Sequence, residues 1–146
     1  MSAKLIGIAR RDKPRAPMEK LARARVGYDT GIEGDCRGRT PDRNVTILFK
    51  EDWDAACADF GRELPWFTRR ANLLVEGLSG FKHVGAKLKI GPVLLEVTEE
   101  NAPCRVMDLQ AAGLRGALQP DWRAGVACRV LQDGEIAIGD TVALVG

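Results

Sequence analysis

Ala86-Lys87-Leu88-Lys89-Ile90-Gly91-Pro92-Val93-Leu94-Leu95-Glu96-Val97-Thr98 is the stretch that decides the fold class. Ala86 to Ile90 alternates apolar residues with Lys, the period of a strand with one buried face. Gly91-Pro92 breaks the run and Val93 to Thr98 resumes it, so the stretch reads as a β hairpin. Short β-type segments recur on both sides: Lys4 to Arg10, Leu21 to Gly27, Asn44 to Phe49, Asn72 to Gly77, Gly125 to Gln132, Glu135 to Ile138 and Thr141 to Val145. Asp133-Gly134 is the best tight-turn signal, since Gly tolerates the positive φ that a two-residue hairpin needs. Helical spacing is confined to three places. Lys50 to Gly61 carries Trp53, Ala56, Cys57 and Phe60 on one face, and Pro103 to Gly113 and Leu114 to Leu118 read as short helices. Many short strands with small helical excursions predict a mostly β fold, a closed or nearly closed barrel that leaves few open strand edges.

The chain has 146 residues, 45% of them hydrophobic, which fits one domain spanning residues 1–146 with an ordinary core. A net charge of +2 argues against a nucleic-acid partner, because phosphate backbones demand concentrated positive charge. The start of the chain is nonetheless rich in Arg (Arg10, Arg11, Arg15, Arg23, Arg25, Arg37, Arg39, Arg43). Those residues form a solvated surface or, in part, line a pocket for an anion. No apolar run has the length of a membrane span and no signal-peptide core is visible, so the expected location is cytoplasmic. Cys36, Cys57, Cys104 and Cys128 are widely spaced and read as free thiols in a reducing compartment. A single His and unpaired Cys spacing argue against zinc.

Cys104, in Glu100-Asn101-Ala102-Pro103-Cys104, stands where a strand gives way to a helix. There the unpaired N–H groups and the helix dipole favour thiolate, the nucleophilic and metal-binding form. Cys57 and Cys128 sit on apolar faces and read as core. Alternation puts Arg129 on the other face of its strand from Cys128, where it either reaches solvent or points into a pocket. Gly31 to Arg39, with Asp35 and Arg37, is a turn or an anion-binding nest of backbone N–H groups. His83 lacks an acid or nucleophile partner and reads as structural, and Trp53, Trp66 and Trp122 read as packing residues.

The ordered set Gly31-Ile32-Glu33-Gly34-Asp35, Arg43-Asn44-Val45-Thr46-Ile47-Leu48, Arg69-Arg70-Ala71-Asn72-Leu73-Leu74-Val75-Glu76-Gly77-Leu78, the Ala86–Thr98 stretch, Pro103-Cys104, Gly125-Val126-Ala127-Cys128-Arg129 and Gly134-Glu135-Ile136-Ala137-Ile138-Gly139-Asp140 resembles the MOSC domain. That domain is named for the C-terminal part of molybdenum cofactor sulfurase. The resemblance implies a β barrel whose cysteine, here Cys104, carries sulfur or ligates molybdenum. Cofactor binding is implied for Asp35, Arg37, Arg70, Asn72, Asn101 and Arg129. The implied cofactor is the molybdenum cofactor (molybdopterin), and the implied partner is that cofactor or a sulfur donor or acceptor protein. Some relatives reduce N-hydroxylated compounds. Pyridoxal phosphate is a family association only, since the pyridoxal-binding domain of the sulfurases has no counterpart in this sequence. Departures are visible: Cys36 and Arg37 replace a His that relatives often carry, Ala71 replaces a Glu, and Asn101-Ala102 stands where a His often precedes Pro-Cys. The alternative is a non-catalytic barrel that binds an anion or docks on a partner.

Overall fold

The computed structural model describes residues 3–78 and 82–145. Seven strands close into a barrel: β1 (Ala3–Arg10), β5 (Val45–Phe49), β6 (Leu73–Glu76), β7 (Lys87–Ile90), β8 (Val93–Glu100), β9 (Val126–Gln132) and β11 (Thr141–Val145). Around the barrel the order is β11-β7-β8-β9-β5-β6-β1, and β1 returns to β11. A two-residue strand, β2 (Glu19–Lys20), adds to β1, while β10 (Gly134–Ala137), β3 (Arg23–Gly27) and β4 (Gly31–Ile32) form a separate small sheet. The β7–β8 hairpin is present, with Ile90 paired to Val93 across the Gly91-Pro92 break.

The β5–β6 pair is the only parallel one among those described, and a parallel pair requires a crossover. The crossover is α1 (Lys50–Phe60) followed by a 3-10 turn at Trp66–Arg69. Glu51 and Asp52 occupy the first turn of α1, where the helix dipole favours acids. Gly61 ends it in the left-handed region at φ 87°, its N–H donating to the Cys57 carbonyl. The helix lies on the outside of the barrel, so β5 is buried on both faces. Val45, Ile47 and Phe49 join the barrel core, while Leu48 packs with Trp53, Ala56 and Cys57 of α1. Each such side chain contributes ~1.5–3 kcal/mol by burial. No helix among the described residues is long and apolar enough to cross a membrane.

Two sequence expectations change. Asp133-Gly134 makes no hairpin, because β9 pairs with β5 and β8 while β10 pairs with β3. Gly134 is absent from the positive-φ glycines. Its value is close approach, since a Cβ there would lie 2.6 Å from Pro92 Cγ. The helix expected from Pro103 to Gly113 is shorter: α2 runs only over Arg105–Gln110, with Pro103 outside it. Ala111 is extended and Gly113 left-handed, and the Asp108 carboxylate accepts from the N–H groups of Gly113 and Arg115, starting α3 (Leu114–Leu118) as a new helix.

Candidate functional site

Beside the barrel, between β1, β5, β6 and the start of α2, a cavity of about 400 Å³ opens to solvent. Its lining includes Arg11, Arg15, Arg37, Arg43, Arg69 and Arg70, with Asp35 as the only carboxylate, and Cys104. Arg43 is neutralised by Glu99 and also donates to Asn101 Oδ1 at 2.8 Å. The remaining guanidiniums outnumber the acid and make the cavity a cation-lined site suited to an oxyanion.

Arg69 is the deepest of them, 7% exposed. It has no carboxylate partner among the described residues. Its Nε donates to the Ala124 carbonyl at 2.9 Å and its Nη2 to the Asn101 carbonyl at 2.6 Å. Burial draws its pKa down to about 10, against a pull upward from Cys104 and further pushes downward from Arg43 and Arg11. A buried guanidinium held by neutral carbonyls keeps most of its charge uncompensated. The Ala124 carbonyl is available because Gly125 turns the chain at φ 100°, where a Cβ would lie 2.0 Å from the Ile47 carbonyl oxygen.

Arg70 ends the 3-10 turn in the left-handed region, φ 66°, which sends its side chain away from that of Arg69. Its Nη2 donates to the Ala16 carbonyl. Burial, then the neighbouring Arg11, lowers its pKa. Arg11 Nη1 reaches the Arg70 carbonyl at 3.4 Å, while Arg11 Nε is buried with no hydrogen-bond partner. Arg37 is exposed at the rim.

Cys104 is exposed and sits as the residue before the first turn of α2, its carbonyl accepting from Met107 N–H at 3.0 Å. Six residues of helix make a smaller dipole than the expected eleven-residue span from Pro103 to Gly113 would have made. The charge facing Cys104 comes instead from Arg69. Cys57 and Cys128 are buried, and burial pushes the Cys128 thiol far above its ordinary range. Cys36 is half-buried and lies beside Arg70, outside the cavity lining.

Of the residues singled out in the sequence, Asp35, Arg37, Arg70, Asn72, Asn101 and Cys104 meet at this cavity. Asn72 and Asp35 are committed to scaffolding. Asn72 Oδ1 accepts from Thr46 N–H at 3.0 Å and its Nδ2 donates to the Ala9 carbonyl at 3.2 Å, stitching β1 to β5. Asp35 accepts from the N–H groups of Arg11 and Arg37 and so shapes the loop. Arg129 lies elsewhere. It stands on the outer face of β9, bonded to Glu96 at 2.7 Å and Asp42 at 3.1 Å, and lines a separate open cleft with Tyr28 and Arg39. Alternation that buries Cys128 in the barrel turns Arg129 outward, and the cross-strand partner at its level is Glu96. His83 is exposed; its neighbours Gly80 and Phe81 lie outside the described residues.

Sequence reading did not single out Arg69 as a site residue, and it placed Arg11, Arg15 and Arg43 only within the Arg-rich start of the chain, part of which was expected to line an anion pocket. The Arg69-Arg70 tandem carried little signal, because Arg is mostly exposed and nothing local marks Arg69 as the buried member of the pair.

A profile of the MOSC domain matches residues 34–143. Among solved structures, the YuaD protein from Bacillus subtilis superposes with a TM-score of 0.82 at 19% identity, over 97% of this chain and 94% of that one. YiiM from Escherichia coli gives 0.72 at 18% identity, over 98% of this chain and 70% of that one. YiiM from Geobacillus stearothermophilus gives 0.71 at 20% identity, over 99% and 74%. At these identities the likeness is one of fold. A search of the curated proteins finds no match.

Proposed function

Because this chain belongs to the MOSC domain family, we propose that it binds the molybdenum cofactor in the Arg-lined cavity, with Cys104 as the protein ligand of the metal. The observation that carries the reading is an exposed thiol and an uncompensated buried guanidinium, Cys104 and Arg69, on one cavity wall. The donor set fits the group. A thiolate suits a soft, sulfur-bound metal centre, and planar guanidiniums suit a phosphate. Arg11, Arg37, Arg69 and Arg70 would hold the phosphate end, with Asn101 and Asp35 keeping the cavity wall in shape. When bound, the cofactor supplies two-electron oxygen or sulfur transfer, including the reduction of N-hydroxylated compounds. This chain's residues would orient it, and the cavity mouth, where Cys104 and Arg37 are both exposed, would stay open to solvent. That same exposure favours a second reading, a sulfur carrier with a persulfide on Cys104, because a thiol at a cavity mouth is reachable by a partner protein.

The test is expression in cells that make the cofactor, followed by metal analysis, pterin fluorescence and intact mass. Stoichiometric molybdenum and pterin in the native chain, absent from Cys104→Ser, is the expected result. A one-sulfur mass increase on Cys104 without metal would favour the carrier reading. A chain with neither metal, pterin nor added sulfur overturns both.

A further inference from the structure

The segment between β1 and β2, from Asp12 to Pro17, is a strap that is mostly exposed yet walls the cavity through Pro14 and Arg15. It is anchored at each end. Arg10 is bonded to Glu19 at 2.9 Å and to the Glu33 carbonyl at 2.6 Å, and Lys20 lies over the Phe67 ring. In the middle, among the described residues, the strap is held across the cavity by a single hydrogen bond, Arg70 Nη2 to the Ala16 carbonyl. The backbone is left-handed at both Arg15 (φ 67°) and Arg70 (φ 66°), positions where non-glycine residues are uncommon.

Three cations converge here with too few acceptors. Arg11 Nε has no partner, the remaining N–H groups of Arg70 have none among the described residues, and Arg15 is exposed without an ion pair among those described. Asp35, the nearby acid, is spent on two backbone N–H groups. An oxyanion placed between them would satisfy donors that no protein group satisfies, and would offset the repulsion between Arg11 and Arg70. A dianion matches this better than a carboxylate, because its oxygens can be shared among several forks.

We propose that the strap closes on the phosphate end of an organic phosphate monoester, which bridges Arg15 on the strap to Arg11 and Arg70 on the barrel. This rests on the reading of the cavity as an anion site, and it makes Arg15 the residue that moves. A guanidinium bond to a phosphate dianion, charged on both sides, is stronger than one to a neutral carbonyl such as that of Ala16, so occupancy shifts the strap toward the closed state.

Arg15–Ala16 is a trypsin site whose guanidinium would be the one holding the ligand, so cleavage there reports directly on the bridge. The experiment incubates the full chain with trypsin, alone, with glycerol 3-phosphate and with inorganic phosphate, following the Arg15–Ala16 bond by mass against other cleavage sites. Glycerol 3-phosphate is expected to slow this cut about tenfold, since proteolysis tracks the open population. Arg70→Met is expected to speed the cut without ligand and to abolish the protection, and Arg70→Lys serves if that variant fails to fold. An unchanged cleavage rate with ligand overturns the proposal. Protection by inorganic phosphate with none by glycerol 3-phosphate also overturns it, since it identifies a site for the free ion. The outcome separates from the cofactor reading: a chain that never acquires pterin or metal yet shows protection retains the strap and loses the cofactor. A pterin-loaded chain cut at Arg15 as fast as the empty one does the reverse.

Discussion

Arg69 and Arg129 present the same side chain to two different regions. On the outer face of β8 and β9, Arg129 meets Glu96 and Asp42 and is 45% exposed. On the cavity wall, Arg69 meets only carbonyl and thioether acceptors and is buried. The first arrangement sets two carboxylates against one cation and has nothing left to offer an anion. The second retains its charge because nothing in the fold cancels it. A cation held without a carboxylate is still able to meet an anion, and the difference is one of partners, since the residue type is the same.

The largest expected effect tests the cavity side outright. Cys104→Ser removes the proposed sulfur ligand, and molybdenum content should fall to background while Arg129→Met leaves it at the native level, both read by metal analysis of purified protein. Equal loss in the two variants would break the contrast. Next in size is thiol accessibility. Iodoacetamide followed by peptide mapping should label Cys104 about 100-fold faster than Cys57 or Cys128, whose exposure requires opening of the core.

Arg69→Met should weaken phosphate-ester binding by ~1.5–3 kcal/mol, the usual worth of a hydrogen bond to a charged group. Its effect on stability should be small, because the lost bonds to Ala124 and Asn101 are offset by relief of a buried charge. Calorimetric titration and denaturant unfolding together check this. The pH dependence sharpens it. With the folded pKa drawn down to about 10 from the ordinary guanidinium range, the unfolded chain binds more protons above that value, so the Arg69 contribution to stability rises as pH climbs past about 10. Anion affinity moves the opposite way and should fall as pH climbs through about 10. An affinity flat across that range in native protein would show that Arg69 does not grip the ligand. The smallest effect is on the outer face: Arg129→Met should change stability by no more than about 1 kcal/mol, as expected of an exposed ion pair.

The barrel was legible because period-two alternation is a local property: in β7 and β9 it assigns each side chain to a face without knowledge of the partner strand. Cys128 inward and Arg129 outward follow from it. What alternation cannot supply is the far partner. Nothing near Arg129 in the sequence names Asp42, 87 positions away, and without that pairing the outward Arg could equally have faced a pocket. Asp133-Gly134 was misjudged for the same reason: the local turn chemistry was sound, but Gly134 is needed for its approach to Pro92. Cys104 was found through its helix start and through family resemblance, whereas its electrostatic neighbour, Arg69, comes from a segment whose direction depends on the left-handed residue Arg70.

The seam that closes the barrel has a kinetic consequence. β1 meets β11 at Ala3 with Val142 and Lys4 with Thr141, so the closing contact joins the most distant parts of the described chain. The length-dependent part of that loop closure costs about 4 kcal/mol before any contact repays it, which places the seam among the last events of folding. The Arg11 end of β1 is held by β6 instead, through Gly7 with Leu74 and Ile8 with Leu73. Substitutions at the seam, at Ala3 or Val142, should therefore speed unfolding and leave the refolding rate unchanged.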